Sequence, residues 1–327
     1  MTAQRILVVV DPTAAEQPAA ATGLVLARRL GCRLELLICH YEPRINARRF
    51  FAEAERRVLR EQSLRHQLGY LRSLRDTLEP GDTEVTTTVS WDRPLAEAIV
   101  RAALRDEPLM VLKDTHHHSA IERTLFTSTD WHLIRDCPAP LWLVKTPAKD
   151  RPVILAAVDP AHDHKKPASL DDQIIEQAAA LADTLGGELH VYHGYETLGD
   201  IAAAGAFAMS PTPIPTEEIS AQVEAEHSAA FAKLMAAHEI PESNRHLLPG
   251  DPASVIPGLA GQLRASLVIM GAVARSRLQQ AVIGSTAEKV LDHLPCDVLI
   301  VKPPGFESHI TYKAQPADFM QLDDEDA

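Results

Sequence analysis

The sequence predicts an α/β fold made of two tandem copies of one unit, each a doubly wound, parallel, five-stranded sheet. Apolar runs of strand length alternate along the chain with segments of helical periodicity. The run Ile6–Pro12 (ILVVVDP) returns as Ile154–Pro160 (ILAAVDP), and Pro138–Lys145 (PAPLWLVK) returns as Pro295–Lys302 (PCDVLIVK). Because this repeat spans most of the chain, both copies are expected to share one fold.

Length, composition and charge set the broad class. The chain has 327 residues, enough for two ordinary domains, and 46% hydrophobic with 24% charged residues is typical of a globular protein. A formal net charge of −13 argues against general binding to nucleic acid. No apolar run approaches the ~20 residues that span a bilayer. The first residues enter a strand pattern without a signal-peptide design, so we expect a cytoplasmic protein with no membrane partner.

The first copy begins with a buried strand at 6–10. Helical periodicity then covers 18–30 and stops at Gly31, because glycine readily adopts the backbone of a helix end. A second strand follows at 34–40. The stretch 44–78 predicts a long helix, with an interruption left open, because its leucines form one stripe at spacings of three and four: Leu64, Leu68, Leu71, Leu74 and Leu78.

The remaining elements of the first copy alternate in the same way: strand 84–89, helix 94–105, strand 109–112, helix 129–135 and strand 141–145. The last strand of each copy is expected to be an edge strand that needs cover. The repeat places domain 1 at 1–147 and domain 2 at 152–304, joined by a short polar linker. Residues 305–327 form an acidic tail, which we expect to be disordered.

One stretch of the second copy indicates a ligand site. An apolar strand at 267–270 ends at Gly271, and Gly284 leads into a helix opening with Ser285 and Thr286. Free backbone N–H groups at a helix start, beside a glycine and two hydroxyls, favour an anion. Ligands of parallel α/β sheets bind beyond the carboxyl ends of the strands, so a phosphate is the first hypothesis. A helix cap that holds no ligand is the alternative.

Several residues resemble those of the universal stress protein family, in its tandem two-domain class. An acid ends the first strand of each copy, Gly250-Asp-Pro252 precedes a helix, and the second copy carries Gly271-x-x-Ala274-(nine residues)-Gly284-Ser285-Thr286. The resemblance covers residues 4–303. It implies an adenine nucleotide alpha hydrolase-like fold for each copy, pairing of the copies as an internal pseudo-dimer through their last strands, and a cytoplasmic role in the stress response.

The same resemblance implies how a nucleotide such as ATP would bind. Asp159 would contact the base or ribose, although an acid before Pro160 is equally typical of a turn. Gly194, at the end of the second strand of its copy, would offer backbone to the base edge. The phosphates would be held by residues of the motif: Gly271, Gly284, Ser285 and Thr286. Mg²⁺ is expected only together with a nucleoside triphosphate.

Departures from the family pattern narrow this expectation. Ala274 stands where ATP-binding members have a second glycine, and its methyl group adds bulk and disfavours positive φ. This shifts the expected ligand from ATP itself towards another nucleotide-like molecule. In the first copy all three glycines are replaced, by Lys113, His116 and Phe126. We therefore expect at most one such site, in domain 2, with the first copy structural or holding another ligand.

For the remaining patterns in the sequence, a structural interpretation is favoured over a functional one. The run His116–His118 has no acid or thiol at a metal-ligand spacing, so a polar loop is favoured over a metal site. No nucleophile, base and acid stand in a catalytic pattern, so we expect no enzyme, with slow ATP hydrolysis left open. The arginines of 44–78 favour a solvated face paired with acids over a phosphate-rich partner: Arg44, Arg48, Arg49, Arg56, Arg57, Arg60, Arg65, Arg72 and Arg75.

Together these patterns predict a stress-response protein that binds a nucleotide or nucleotide-like metabolite in domain 2 and acts as a sensor or signalling module. Two alternatives stay open. The segment 196–216, with small apolar residues and three alternating prolines, would form a flap over an apolar, acyl-type metabolite. The chain would otherwise be an interaction scaffold without a small ligand. A homodimer is plausible, but the sequence does not specify its contacts.

Overall fold

The computed structural model describes residues 4–115, 126–147, 149–161, 169–197, 216–272, 285–313, 315 and 318–326. These residues form two compact units. The first unit holds the described part of the first copy together with the chain from Phe306 onwards, and the second unit runs from Lys149 to Gly305. Each unit is an α/β structure, as the sequence predicts.

The first unit alternates strands and helices: β1 Arg5–Val9, α1 Pro18–Leu30, β2 Arg33–His40, α2 Glu53–Thr77, β3 Val85–Trp91, α3 Leu95–Asp106, β4 Met110–Asp114, α4 Ser128–Asp136 and β5 Leu141–Val144. These five strands are parallel and lie in the order β3-β2-β1-β4-β5. The chain moves outward from β1 to β3 and then crosses back to β4. The topological switch point of the first unit therefore lies between β1 and β4.

The ends of α1 follow from two residues. Pro18 lies at the first helical position, where its fixed φ suits the helix and its missing N–H costs nothing. Gly31 ends the helix with φ of 64° and ψ of 34°, a left-handed conformation that glycine adopts without a Cβ penalty. The prediction of a helix over 18–30 is confirmed.

The long helix α2 is shorter than predicted, because it begins at Glu53 and not at residue 44. Ala52 is extended, with ψ of 162°, and its N–H donates a hydrogen bond of 2.8 Å to the Glu55 carboxylate. That acid satisfies a backbone donor just outside the helix and fixes the start there. Much of the predicted leucine stripe is buried, namely Leu64, Leu68 and Leu71.

The second unit repeats the plan of the first: β6 Val153–Val158, α5 Ser169–Leu185, β7 Glu188–Tyr195, α6 Thr216–Met235, β8 Arg245–Pro249, α7 Pro252–Leu263, β9 Leu267–Gly271, α8 Ser285–His293 and β10 Asp297–Val301. Its strands are parallel and lie in the order β10-β9-β6-β7-β8. The topological switch point of the second unit therefore lies between β6 and β9.

The core of each unit lies on both faces of its sheet. Consecutive residues of the central strands are fully buried, Ile6–Val8 in β1 and Ile154–Ala156 in β6. Such runs mark strands covered by helices on both sides. Cys137 and Cys296 are buried, whereas Cys32 and Cys39 are half-buried. Of the helices that the structure describes, none has an apolar stretch long enough to cross a bilayer.

The acidic tail is ordered in its described part, so the prediction of disorder is wrong. Residues Met320–Asp323 form β11, which pairs antiparallel with β3 and extends the sheet of the first unit. Asp324 follows, and its carboxylate accepts hydrogen bonds of 2.9 Å from both the N–H and the hydroxyl of Thr87. Arg72 of α2 donates to the same carboxylate at 3.1 Å. Asp324 is therefore held by donors and a cation elsewhere in the first unit.

Candidate functional site

The carboxyl edge of the second unit brings two of the predicted site residues to neighbouring strand ends. Ala157 of β6 lies opposite Met270 of β9 in the parallel register. Asp159 comes two residues after the first of these, and Gly271 directly follows the second. Both therefore lie at the switch point between β6 and β9, where ligands of open α/β sheets bind.

The backbone of Asp159 is held by a buried acid. Its N–H donates a hydrogen bond of 2.9 Å to Oδ1 of Asp171, which is 1% exposed and lies in the first turn of α5. Asp159 itself is half-buried. The backbone of Asp159 is thus fixed at a strand end, and its carboxylate is suited to accept hydrogen bonds from the hydroxyls of a sugar.

Gly271 has a packing role that the sequence does not reveal. A Cβ atom built at this position would lie 2.8 Å from Cδ2 of Leu170 and 3.3 Å from Cδ1 of Ile174. Both contacts come from α5, which packs closely over the end of β9. The φ of Gly271 is not in the left-handed region, so close approach of a helix, and not an unusual backbone, requires the glycine here.

Gly194 is also explained by a neighbouring side chain. It lies inside β7, opposite Leu248 of β8. A Cβ atom at this position would overlap the hydroxyl of Tyr192, whose ring is 2% exposed and folds along the same face of the strand. Burial, and then the nearby charge of Asp251, raise the pKa of Tyr192, so its phenol stays protonated. The predicted contact of Gly194 with a base edge stays a prediction.

The helix predicted after the glycine motif is confirmed. The helix α8 begins at Ser285, with Thr286 in its first turn, so its unpaired N–H groups start where the motif places them. Ala274 and Gly284 lie outside the described residues, as do the run His116–His118 and most of the segment 196–216.

The corresponding place in the first unit is filled by the chain itself. The strand registers place Asp114, and not Lys113 as predicted, at the position of Gly271, because Val9 lies opposite Lys113 as Ala157 lies opposite Met270. Nζ of Lys113 lies 2.9 Å from Oδ1 of the fully buried Asp130. Asp130 also accepts from the N–H of Thr127 at 2.7 Å, and Thr127 accepts from the Asp130 N–H at 3.2 Å. This reciprocal cap satisfies the start of α4 from within. The prediction that the first copy lacks the phosphate motif therefore gains a physical basis.

Two histidines, His193 and His227, contact each other beside the end of β6, next to the residue that precedes Asp159. Nδ1 of His193 lies 3.2 Å from the carbonyl oxygen of Val158, and its Nε2 lies 2.8 Å from Nδ1 of His227. Because a carbonyl only accepts, Nδ1 of His193 carries the proton and its Nε2 accepts from His227. Burial is the main cause that lowers the pKa of His193, so the ring is neutral near pH 7.

Sequence reasoning missed three of these residues. Asp130 had a recognisable signal, since Thr127 and an acid three positions later match a capping box. Asp171 follows the start of α5 in a comparable position, where helices favour an acid. His227 lies within α6 at no distinctive spacing, and only the fold brings it to His193.

Comparison with known proteins agrees with this architecture. The universal stress protein family matches residues 2–145 and 153–302. Universal stress protein E of Salmonella typhi is 29% identical to this chain, with 99% of this chain and 98% of that protein covered. The protein of the same name from Escherichia coli strain K12 is 28% identical, with the same coverage.

Solved structures share the fold along the same length. A functionally unknown protein from Pseudomonas aeruginosa PAO1 has a TM-score of 0.70 and 26% identity, covering 92% of this chain and 93% of its own. A universal stress protein from Archaeoglobus fulgidus has a TM-score of 0.61 and 17% identity, covering 92% and 99%. With one family match on each repeated unit, the chain belongs to the universal stress protein family as a tandem two-domain member.

Proposed function

We propose that this chain is a cytoplasmic, non-enzymatic stress-response protein that binds a nucleotide or nucleotide-like metabolite in its second unit and acts as a sensor or signalling module. The observation that carries the proposal is the meeting of Asp159 and Gly271 at the switch point of the sheet. The start of α8 at Ser285 supplies the other half of the site, namely the backbone N–H groups that are proposed to bind phosphate.

Each part of this site has a physical task. Asp159 accepts hydrogen bonds from the ribose, because its backbone is fixed by Asp171 and its carboxylate lies at the strand end. The first N–H groups of α8 and the positive end of its dipole attract the phosphate. Ser285 and Thr286 add hydroxyl donors. Mg²⁺ would accompany only a triphosphate, where it would neutralise phosphate charge.

The first unit differs from the second at the equivalent place, and this difference supports the assignment. There Asp114 takes the place of the first glycine of the motif, and the helix start is capped by Asp130. A carboxylate already held at the helix start repels a second anion. The proposed function therefore assigns a single nucleotide site to the whole chain.

Isothermal titration calorimetry with ATP, ADP, AMP and a UDP-sugar tests the proposal. Native mass spectrometry first establishes that the purified protein retains no ligand. We expect saturable binding of at least one of the four, weakened about tenfold or more by Asp159→Asn, since a lost charged hydrogen bond is worth about 1.5–3 kcal/mol. Gly284→Val is expected to abolish binding, because it adds a branched side chain to the glycine of the motif that is proposed to hold phosphate.

Asp11→Asn is the matched control. Asp11 ends the first strand of the first copy, where it accepts hydrogen bonds of 2.9 and 2.6 Å from the N–H and hydroxyl of Thr13. It has the same place in the repeat and no nucleotide motif beside it, so its replacement should leave the affinity unchanged. Absence of binding by all four compounds to ligand-free protein would overturn the proposal.

A further inference from the structure

A pocket of about 430 Å³ opens in the first unit at the carboxyl ends of β2 and β3, beside the first turns of α2. We call it the arginine pocket. Tyr41 follows the end of β2, Arg93 follows the end of β3, and Arg56 and Arg60 come from α2. The lost glycine motif lies elsewhere in the same unit, between β4 and α4, so the arginine pocket is a separate feature.

The lining of the arginine pocket is positive. Four guanidinium groups face two carboxylates, which gives a formal charge of +2 on a chain whose net charge is −13. The six side chains are Arg48, Arg56, Arg60, Arg93, Glu53 and Asp318. A concave positive site on an acidic protein concentrates anions locally against the overall field.

Two of these arginines are buried, contrary to the prediction of a solvated face. Arg60 is 5% exposed, and its two terminal nitrogens donate to the Asp318 carbonyl at 3.1 Å and to the Glu53 carboxylate at 2.9 Å. Arg56 is 9% exposed and donates through its terminal nitrogens to Glu53 and to the Asn46 carbonyl. The solvated-face prediction does hold for Arg65, which pairs with Glu61 at the surface.

One donor in the arginine pocket lacks an acceptor. Nε of Arg56 is buried, and no acceptor for it occurs among the residues that the structure describes. A buried guanidinium N–H without an acceptor carries a desolvation cost, and a ligand oxygen would remove that cost. The acceptor that Arg56 shares with Arg60, Glu53, has a side chain 71% exposed. Because Glu53 is mostly in solvent, its carboxylate can turn outward and leave both guanidinium groups to an incoming anion.

Aromatic and C-terminal residues complete the mouth and one wall of the arginine pocket. The guanidinium of Arg93 lies 4.7 Å from the ring centre of Tyr41, which packs against Trp91 at 5.3 Å. Asp318, from the C-terminal segment, accepts a hydrogen bond from the Asn46 side chain, and its carbonyl accepts from Arg60. Residues far apart in the chain thus converge on one cavity, with an aromatic surface beside its charges.

From these contacts we propose that the first unit binds a small, soluble phosphate monoester in the arginine pocket, independently of the nucleotide site proposed for the second unit. A phosphate monoester carries about −1.5 to −2 charges at pH 7, which matches the charge of the lining. Guanidinium groups bind phosphate oxygens through paired N–H donors. The volume lies within the roughly 300–1,000 Å³ of ordinary small-molecule sites.

Calorimetry with glucose 6-phosphate, inorganic phosphate and glucose tests this proposal on the full chain. We expect saturable binding of the two phosphates, weakened by added salt, and none of glucose. Arg56→Gln and Arg93→Gln should each weaken binding about tenfold or more, equivalent to about 1.4 kcal/mol. Arg65→Gln is the matched control, because Arg65 lies on the same helix outside the arginine pocket, and it should change the affinity less than about twofold.

Arg56 is buried, so its variant is first checked for native circular dichroism and thermal unfolding. If it does not fold, Arg48→Gln and Arg93→Gln carry the test, because both side chains are exposed at the mouth. The proposal is overturned if neither phosphate binds at up to about 10 mM, or if binding is equally strong in the folded arginine variants. The second result would place the phosphate at another site.

Discussion

Lys113 Nζ lies 2.9 Å from Oδ1 of Asp130, and this ion pair joins the end of β4 to the start of α4 in the first unit. At the equivalent positions the second copy has Met270 and Ala287, as the strand registers and the helix starts at Ser128 and Ser285 show. The first copy therefore contains an internal salt bridge where the second copy has two uncharged residues.

The first prediction concerns this ion pair. Lys113→Met keeps most of the side-chain volume but leaves the carboxylate of Asp130 buried without its counter-charge. Removing one partner of a buried pair costs about 3–5 kcal/mol, so we expect the free energy of unfolding to fall by about that amount in urea titrations. The double variant Lys113→Met/Asp130→Asn should recover part of the loss, because no uncompensated charge remains.

The surface pair Arg65–Glu61 is the control for this comparison. Its two side chains are 64% and 38% exposed, so Arg65→Met should lower the free energy of unfolding by less than about 1 kcal/mol. Equal losses in Lys113→Met and Arg65→Met would contradict the view that Lys113 neutralises a buried acid.

The second prediction separates packing from ligand binding at Gly271. Gly271→Ala forces a methyl group against Leu170, so we expect the free energy of unfolding to fall by about 1–3 kcal/mol. Leu170→Ala removes the obstructing side chain, and the double variant should lose less than the sum of the two single losses. Urea unfolding of the four proteins measures this coupling.

Gly258 provides the matched control. It lies on the exposed face of α7, and a Cβ there meets nothing within 4 Å. Gly258→Ala should therefore raise the free energy of unfolding by about 0.5–1 kcal/mol. If Gly271→Ala were as stable as the native protein yet failed to bind a nucleotide, the packing explanation of Gly271 would be wrong.

The third prediction concerns the C-terminal segment. Burial alone would raise the pKa of Asp324, but hydrogen bonds from Thr87 and Arg72 and the charge of Arg75 outweigh it and lower that pKa. Its contribution to stability is therefore complete above the unfolded value, near 3.9, and is lost as the pH falls through the lower folded value. Asp324→Asn should cost about 1–2 kcal/mol at pH 7.

Urea unfolding at pH 7 and near pH 3 tests the sign of this effect. The difference between the native protein and Asp324→Asn should shrink at the acid end, because the unfolded chain there binds a proton at Asp324 that the lowered pKa of the folded chain resists. Glu325→Gln is the control, because Glu325 is the exposed next residue. A difference that grew as the pH fell would contradict the assignment.

The fourth prediction follows from the buried histidines. Burial lowers the pKa of His193, and His227 lowers it further, whereas the backbone of Val158 and the charges of Asp159 and Asp171 oppose the shift. The unfolded chain therefore takes up a proton that the folded chain does not. The stability due to neutral His193 is present above about pH 6.5 and is lost as the pH falls through its folded pKa.

Unfolding free energies measured from pH 7.5 to 5 should therefore decrease for the native protein. In His193→Gln the decrease should be shallower by up to about 1.4 kcal/mol per pH unit, the value for one proton. Some slope should remain, because burial and the adjacent His190 also lower the pKa of His246. Identical slopes in the two proteins would show that His193 is not a proton-linked group.

For the five strands and four helices of the first copy, the sequence was sufficient to predict order and type, because burial on both faces leaves continuous apolar runs and helices leave a separate periodicity. Pro18 and Gly31 set the ends of α1 through local backbone preferences, so its bounds could be predicted. The start of α2 could not, because Ala52 is not a typical cap and the fixing contact comes from Glu55.

Contacts between residues far apart in the chain explain the remaining differences. The tail has the composition of a disordered segment, and nothing within it indicates that Asp324 meets Thr87. The sequence did allow the prediction that Asp159 and Gly271 lie at neighbouring strand ends, because this follows from the parallel topology. The packing of Leu170 against Gly271 did not, because it depends on how closely one helix lies over one strand.

The strand β11 has a consequence for biosynthesis. The strand that completes the sheet of the first unit follows the whole second unit in the chain, so the first unit reaches its final form only after the second has been translated. Until then the outer edge of β3 is unpaired, and unpaired strand edges attract other chains. A premature stop just before β11 would therefore damage the first unit, although the second unit lies between the two in the sequence.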